Sequence, residues 1–106
     1  MAVGEQDDEA LLNSRIRVPE HVVYRDFDDE TVILNLDTGK YHGLNATAAK
    51  MLETLDAGDV PVGEAVERLA SEFGQPRDVI ERDVLSLCRA LGERGLIAHD
   101  AGGQPS

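Results

Sequence analysis

The hydrophobic period of this chain changes once, at about Asn45. A strand sends successive side chains to opposite faces, whereas a helix returns to one face after three or four residues. A single switch of period therefore restricts the chain to a strand half followed by a helix half. In the first half, Val22, Val23 and Tyr24 are β-branched or aromatic and precede the acidic stretch Asp26-Phe27-Asp28-Asp29-Glu30. Thr31 to Leu36 follows, with Val32, Leu34 and Leu36 alternating onto one face. Asp37-Thr38-Gly39-Lys40 reads as a turn in which Gly39 takes a positive φ. Tyr41 to Leu44 supplies a third short strand, so the spacing predicts an antiparallel meander.

Asn45 stands where a helix N-cap belongs, able to accept from the free amides of a first turn. Ala48, Met51, Leu52 and Leu55 then fall on one helical face, ended by Asp56-Ala57-Gly58-Asp59. Val62, Ala65, Val66, Leu69, Ala70 and Phe73 repeat that period, with Gly74 as the stop. Pro76 suits the first turn of a third helix, which runs through Ile80, Val84, Leu87 and Leu91 to Gly95. Leu96-Ile97-Ala98 closes as a short wing strand. The expected fold is α+β, a three-stranded antiparallel meander packed on a three-helix, winged-helix-like half. Residues 1–15 read as a mobile acidic arm, 16–99 as the domain and 100–106 as a flexible tail.

With 106 residues, 42% of them hydrophobic, the chain holds one modest core. Ten basic against twenty-one acidic residues leave a net charge of −11, which opposes binding to nucleic acid or to an anionic membrane. No apolar run approaches the ~20 residues of a membrane span, and the acidic start lacks the features of a signal peptide. The one cysteine, Cys88, excludes an intrachain disulfide and suits a cytoplasmic location.

No catalytic constellation emerges. His21, His42 and His99 have no partners at metal-ligand spacing, and the acidic run at Asp26 to Glu30 lacks the glycine and terminal glutamate of a calcium loop. Cys88 has only Arg89 nearby, pointing about 100° away around a helix, and reads as a buried thiol. The glycines form no phosphate cradle. The residues thus predict no enzyme, no metal and no cofactor. A winged-helix DNA-binding regulator is the alternative, with the third helix as reader. There, however, Arg77, Arg82, Arg89 and Arg94 are cancelled by Asp78, Glu81, Asp83 and Glu93.

The third helix is more apolar than packing on one side requires. Ile80, Val84, Leu87 and Leu91 already fill one stripe; Val79 and Ala90 widen it on one flank, Leu85 and Cys88 on the other. Either the helix is sunk in the core, or one flank lines a groove. In the meander, Lys40 to Leu44 forms a sheet edge with unpaired backbone groups, guarded only by Lys40, His42 and Gly43. An open edge beside an apolar helix is the arrangement for strand addition by an extended peptide.

Two stretches resemble a known family. Leu36-Asp37-Thr38-Gly39-Lys40-Tyr41-His42-Gly43-Leu44-Asn45-Ala46-Thr47 is similar to the strand-turn-strand and helix start of PqqD-like proteins. Asp83-Val84-Leu85-Ser86-Leu87-Cys88, closing with Gly95-Leu96-Ile97, resembles their last helix and its exit. The likeness covers Val22 to Ala98, and the Tyr-His-Gly-Leu-Asn run resembles most the standalone leader-binding component of lasso-peptide biosynthesis. Met51 stands where many relatives carry a large aromatic, and Cys88 where leucine is usual; Met51 reads as a core position away from the groove. The resemblance implies a RiPP recognition element, a non-catalytic domain that binds the leader of a ribosomally made precursor peptide and presents it to a modifying enzyme or leader peptidase. By position it places the peptide along Lys40, Tyr41, His42, Gly43 and Leu44. The helix wall is then Val79, Ile80, Asp83, Val84 and Leu87, the opposite flank bringing in Leu85 and Cys88 instead, and Arg77, Arg82 or Arg94 could pair with acidic leader side chains.

Overall fold

The computed structural model describes residues 8–28, 30–57 and 60–101, apart from the side chains of residues 100 and 101. Nine elements follow in order: α1 (Asp8–Leu12), β1 (Ser14–Arg17), β2 (Val22–Phe27), β3 (Glu30–Asn35), β4 (Tyr41–Leu44), α2 (Ala46–Asp56), α3 (Val62–Phe73), α4 (Arg77–Glu93) and β5 (Ala98–Ala101). The expected meander is present, in the order β2-β3-β4 and antiparallel throughout, so β4 is an edge among the described strands. A second, two-stranded antiparallel sheet joins β1 to β5.

Alternation along β3 holds, but the set facing the helices is Ile33 and Asn35, at 0% and 3% exposure. Val32 and Leu34 lie half-buried on the outer face, and Leu36 is exposed just beyond the strand. The choice follows from the register. Ile33 is paired with Tyr24 and His42, and Leu44 and Val22 share that inner face and are also buried.

Local chemistry sets the helix ends. Asn45 Oδ1 accepts from the Ala48 amide at 2.8 Å and caps α2. Gly74 (φ 63°) and Gly95 (φ 65°) adopt the left-handed conformation that stops α3 and α4. α2 packs on β3, β4 and α3, and α3 packs on α4. Val66, Leu69, Val84 and Leu91, all at 0% exposure, lie in the core they share.

The expectation of a mobile arm to Arg15 is corrected for its described part. Residues 8–15 form α1 and enter β1, because Leu11 (0%) and Ile16 (1%) are drawn into the core. Ser14 Oγ donates to the Ala10 carbonyl at 2.8 Å, and Asp56 Oδ1 accepts from the Val18 amide at 2.8 Å, so the segment is tied down on both sides. Residues 1–7 lie outside the described residues, as do 102–106 of the expected tail; Asp100 and Ala101 belong to β5. Leu96 and Ile97 are buried, as a wing would require, but the strand begins at Ala98 and pairs with β1. Among the described residues, no helix is long and apolar enough to cross a membrane.

Candidate functional site

Two adjoining hollows run between β4 and α4 and meet at His42. One, of about 350 Å³, has Ala48, Met51, Leu87 and Ala90 as its apolar floor and His42, Asn45, Thr47, Asp83 and Ser86 as its polar margin. The other, of about 700 Å³, follows the strand itself along Gly39, Lys40, Tyr41, His42 and Gly43 to Glu93 and Arg94. Among the described residues β4 pairs with β3 alone, which leaves its other ladder open toward this groove.

Asn35 positions the strand. Its Oδ1 accepts from the amides of Asp37 (2.9 Å) and Thr38 (3.2 Å), and its backbone closes the turn with Lys40 and Gly39. Its Nδ2 donates to the Gly95 carbonyl at 3.1 Å. One buried amide thus shapes the turn before β4 and ties it to the exit of α4, setting the separation of the groove's walls. Sequence reading missed this residue. The available signal was a polar side chain two residues after Ile33, on the buried period of a strand.

The expected site residues divide in two. Lys40, Tyr41, His42, Gly43, Asp83 and Leu87 line the groove. Leu44, Ile80 and Val84 do not: at 0%, 3% and 0% exposure they belong to the core, since turning about 100° per residue carries Ile80 and Val84 past the groove wall. Val79 is half-buried on the stripe of Asp83, Ser86, Leu87 and Ala90, one turn before Asp83. Asn45 also lines the groove, with Thr47, Ala48 and Met51 from α2. Met51 is a core residue as expected, but its place on the groove corrects the expectation that it lies away from it. Of the three arginines considered, Arg94 lies at the groove; Arg77 is bound to Glu81, and Arg82 lines a hollow beside α1.

The excess apolar surface of α4 is now accounted for. α1 packs against α3 and α4, with Asp8 paired to Arg89 on the side that carries Leu85 and Cys88. Leu85 (4%) and Cys88 (0%) are therefore covered, and the opposite flank, Leu87 and Ala90, is the one left beside β4. Three arginines on or just after α4 are held: Arg77 by Glu81, Arg89 by Asp8 and Arg94 by the Ala90 carbonyl.

Burial shifts the pKa values of His42, Cys88 and Tyr24. Burial, aided by the Arg94 charge, holds the His42 imidazole below its ordinary 6.5, favouring the neutral form. Burial pushes the Cys88 thiol up to about 12, so it is no thiolate nucleophile. A separate hollow at Tyr24, Asp26, Thr31, Glu53 and Asp56 raises the Tyr24 hydroxyl's pKa, by burial first and then by Asp56 and Glu53.

Known proteins show the same frame. The chain in "TbiB1 in complex with the TbiA(beta) leader peptide" is 32% identical, with a TM-score of 0.66 over 85% of this chain and 99% of that one. A lasso peptide synthetase B1 complexed with the leader peptide is 30% identical, with a TM-score of 0.68 over 79% of this chain and 98% of that one. The PqqA binding protein of Gluconobacter oxydans (strain 621H) is 41% identical over 54 residues, 51% of this chain and 55% of that protein. This chain thus spans about half the length of the curated relative it matches. The family model of coenzyme PQQ synthesis protein D matches residues 30–97, a span that opens at β3 and closes after α4. Both walls of the groove and the Asn35 tie between them fall inside that span, and the chain belongs to the PqqD family.

Proposed function

We propose that this chain is a non-catalytic RiPP recognition element of the cytoplasm. It binds the leader of a ribosomally made precursor peptide by strand addition to β4 and presents it to a separate modifying enzyme or leader peptidase, in a lasso-type system. The observation that carries this reading is the open ladder of β4 beside an apolar floor of Ala48, Met51, Leu87 and Ala90. The leader-peptide complexes of the two similar chains and the PqqA binding by the curated relative support it.

Binding proceeds from the residues as follows. The leader's backbone pairs with Tyr41 to Leu44, and its inward side chains drop toward Leu87 and Ala90 between His42 and Asp83. Ordering a flexible leader costs on the order of 2–5 kcal/mol, so backbone pairing yields little surplus. One or two apolar anchors on the floor therefore carry most of the affinity and the choice of partner. The outward side chains stay accessible to the enzyme that acts on the leader. The peptide-binding unit takes in 16–99 together with α1, which seals the far flank of α4.

Titrating the isotope-labelled chain with candidate leaders, starting with the TbiA(beta) leader peptide, tests the assignment. Amide shifts at Tyr41, His42, Gly43 and Leu44 are the expected result. Saturable binding whose shifts spare β4 and fall on α3 alone would remove the groove.

A further inference from the structure

The outer face of β4, opposite the groove, carries a feature that peptide binding through the inner face does not use. Gly43 leaves that face bare, directly across from Val32. Glu30 starts β3 on the same face and leans over the gap, so that a Cβ on Gly43 would overlap its carboxylate oxygen. This carboxylate has no hydrogen bond or ion pair among the described residues; even Arg25, on the same face opposite Val32, leaves it unpaired. Phe27, the β2 partner of Glu30, lies on the same side with 58% of its surface exposed. With Asp28, Gly43 and Asn45 these residues bound an open hollow of about 650 Å³ at the end of the edge strand.

A strand added to β4 sends every second side chain to this outer face. The residue opposite Gly43 meets no side chain on its neighbour, because directly opposed Cβ positions lie only ~4.5–5.5 Å apart and one of them is empty. The Glu30 carboxylate lies in that space, and an aromatic ring stands beyond it. Carboxylate plus aromatic face is the chemistry that takes a cation. We propose that Glu30, Phe27 and the bare Gly43 form a subsite for one Lys or Arg side chain of the bound leader, and that this contact sets the leader's register on β4. Strand addition alone tolerates a slip of two residues, which keeps every side chain on its face. A single anionic post distinguishes one register from the next.

This inference rests on strand addition at β4, and the experiment separates the two. A random peptide library displayed on mRNA is selected against the full chain and its Glu30→Lys and Leu87→Asp variants, each first shown by circular dichroism to be folded. Wild type should enrich apolar anchors together with Lys or Arg at one fixed distance from them. Glu30→Lys should keep the anchors and replace that cation with Asp or Glu. In single peptides, a Lys-to-Glu change there should weaken wild-type binding about threefold to tenfold and strengthen binding to Glu30→Lys. Cations spread evenly along the peptide would reflect only the overall acidity of the chain. That result, or a preference that Glu30→Lys leaves untouched, overturns the subsite while anchors lost with Leu87→Asp still uphold the groove. If no enriched peptide depends on Leu87, the groove fails and the subsite with it.

Discussion

Replacing Leu87 with Asp separates a groove residue from a core residue, because Leu87 is half-buried on the floor between β4 and α4. Its inner atoms pack on the core, and its outer surface is available to a leader anchor. Covering a leucine side chain stabilises by ~1.5–3 kcal/mol, and part of that gain is realised only in the complex. A carboxylate there removes the apolar contact and must also be stripped of water against the incoming anchor, an added cost of roughly 1–3 kcal/mol. The combined loss, about 2–4 kcal/mol, corresponds to roughly a 30-fold to 1,000-fold weaker complex. The fold should survive. A charged residue of lower helix propensity and the lost partial burial cost about 1–2 kcal/mol, against a typical domain stability of ~5–15 kcal/mol. Fluorescence polarisation with a labelled leader measures the affinity, and circular dichroism with thermal melting reports the fold. Leu87→Ala should fall between wild type and Leu87→Asp. An affinity for Leu87→Asp within about twofold of wild type, with the spectrum unchanged, would refute the placing of the anchor.

Asn35→Ala should destabilise the chain by about 1–3 kcal/mol, since the Asp37 and Thr38 amides and the Gly95 carbonyl lose their partner; an unchanged melting temperature would show that the tie contributes nothing. Leu11→Ala should cost ~2–5 kcal/mol by emptying a fully buried site, whereas an arm without packing would register no change on melting. His42 gives a pH signature: its folded pKa lies below the ordinary 6.5, so the folded chain binds fewer protons there than the unfolded one. Its contribution is fully present above 6.5 and is lost as pH falls toward the lowered folded value. Denaturant titrations at about pH 7.5 and about pH 5.5 should show a smaller stability loss for His42→Gln than for wild type, and equal losses would contradict the burial of the imidazole. Lys40, Asp83, Glu93 and Arg94 border the same groove and are left intact in that comparison.

What the sequence made legible was local. α3 runs from Val62 to Phe73 with Gly74 as its left-handed stop, and Asn45 caps α2, because both devices act within a few residues. The meander order followed from short connections, and with it the edge position of β4. What escaped depends on contacts distant in sequence. The acidic start looked too polar to pack, yet two side chains, Leu11 and Ile16, anchor it once α3, α4 and β5 are assembled. Asn35 sits on a buried face because its partners lie 59 and 60 residues away, at Arg94 and Gly95. Ile80 and Val84 share a broad apolar band with Leu87, and only the position of β4 decides which part of that band faces the groove.

An open edge beside an apolar floor is also an invitation to self-association, and the features that oppose it here bear on what the proposed groove would take. The groove flank of α4 is interrupted by Asp83 and Ser86, so Leu87 and Ala90 form a small floor beside polar groups. That floor suits a single side chain better than the flat face of another sheet. β4 is four residues long, and its turn carries Lys40 and Gly39, which leaves little ladder for a folded neighbour to share. Two copies, each at −11, also repel one another, whereas an extended segment with few negative charges meets no such barrier. Under the proposed function, edge length, floor size and net charge act together: they oppose pairing with folded strands and with further copies of the chain, and favour a short unfolded peptide whose apolar side chains arrive one at a time.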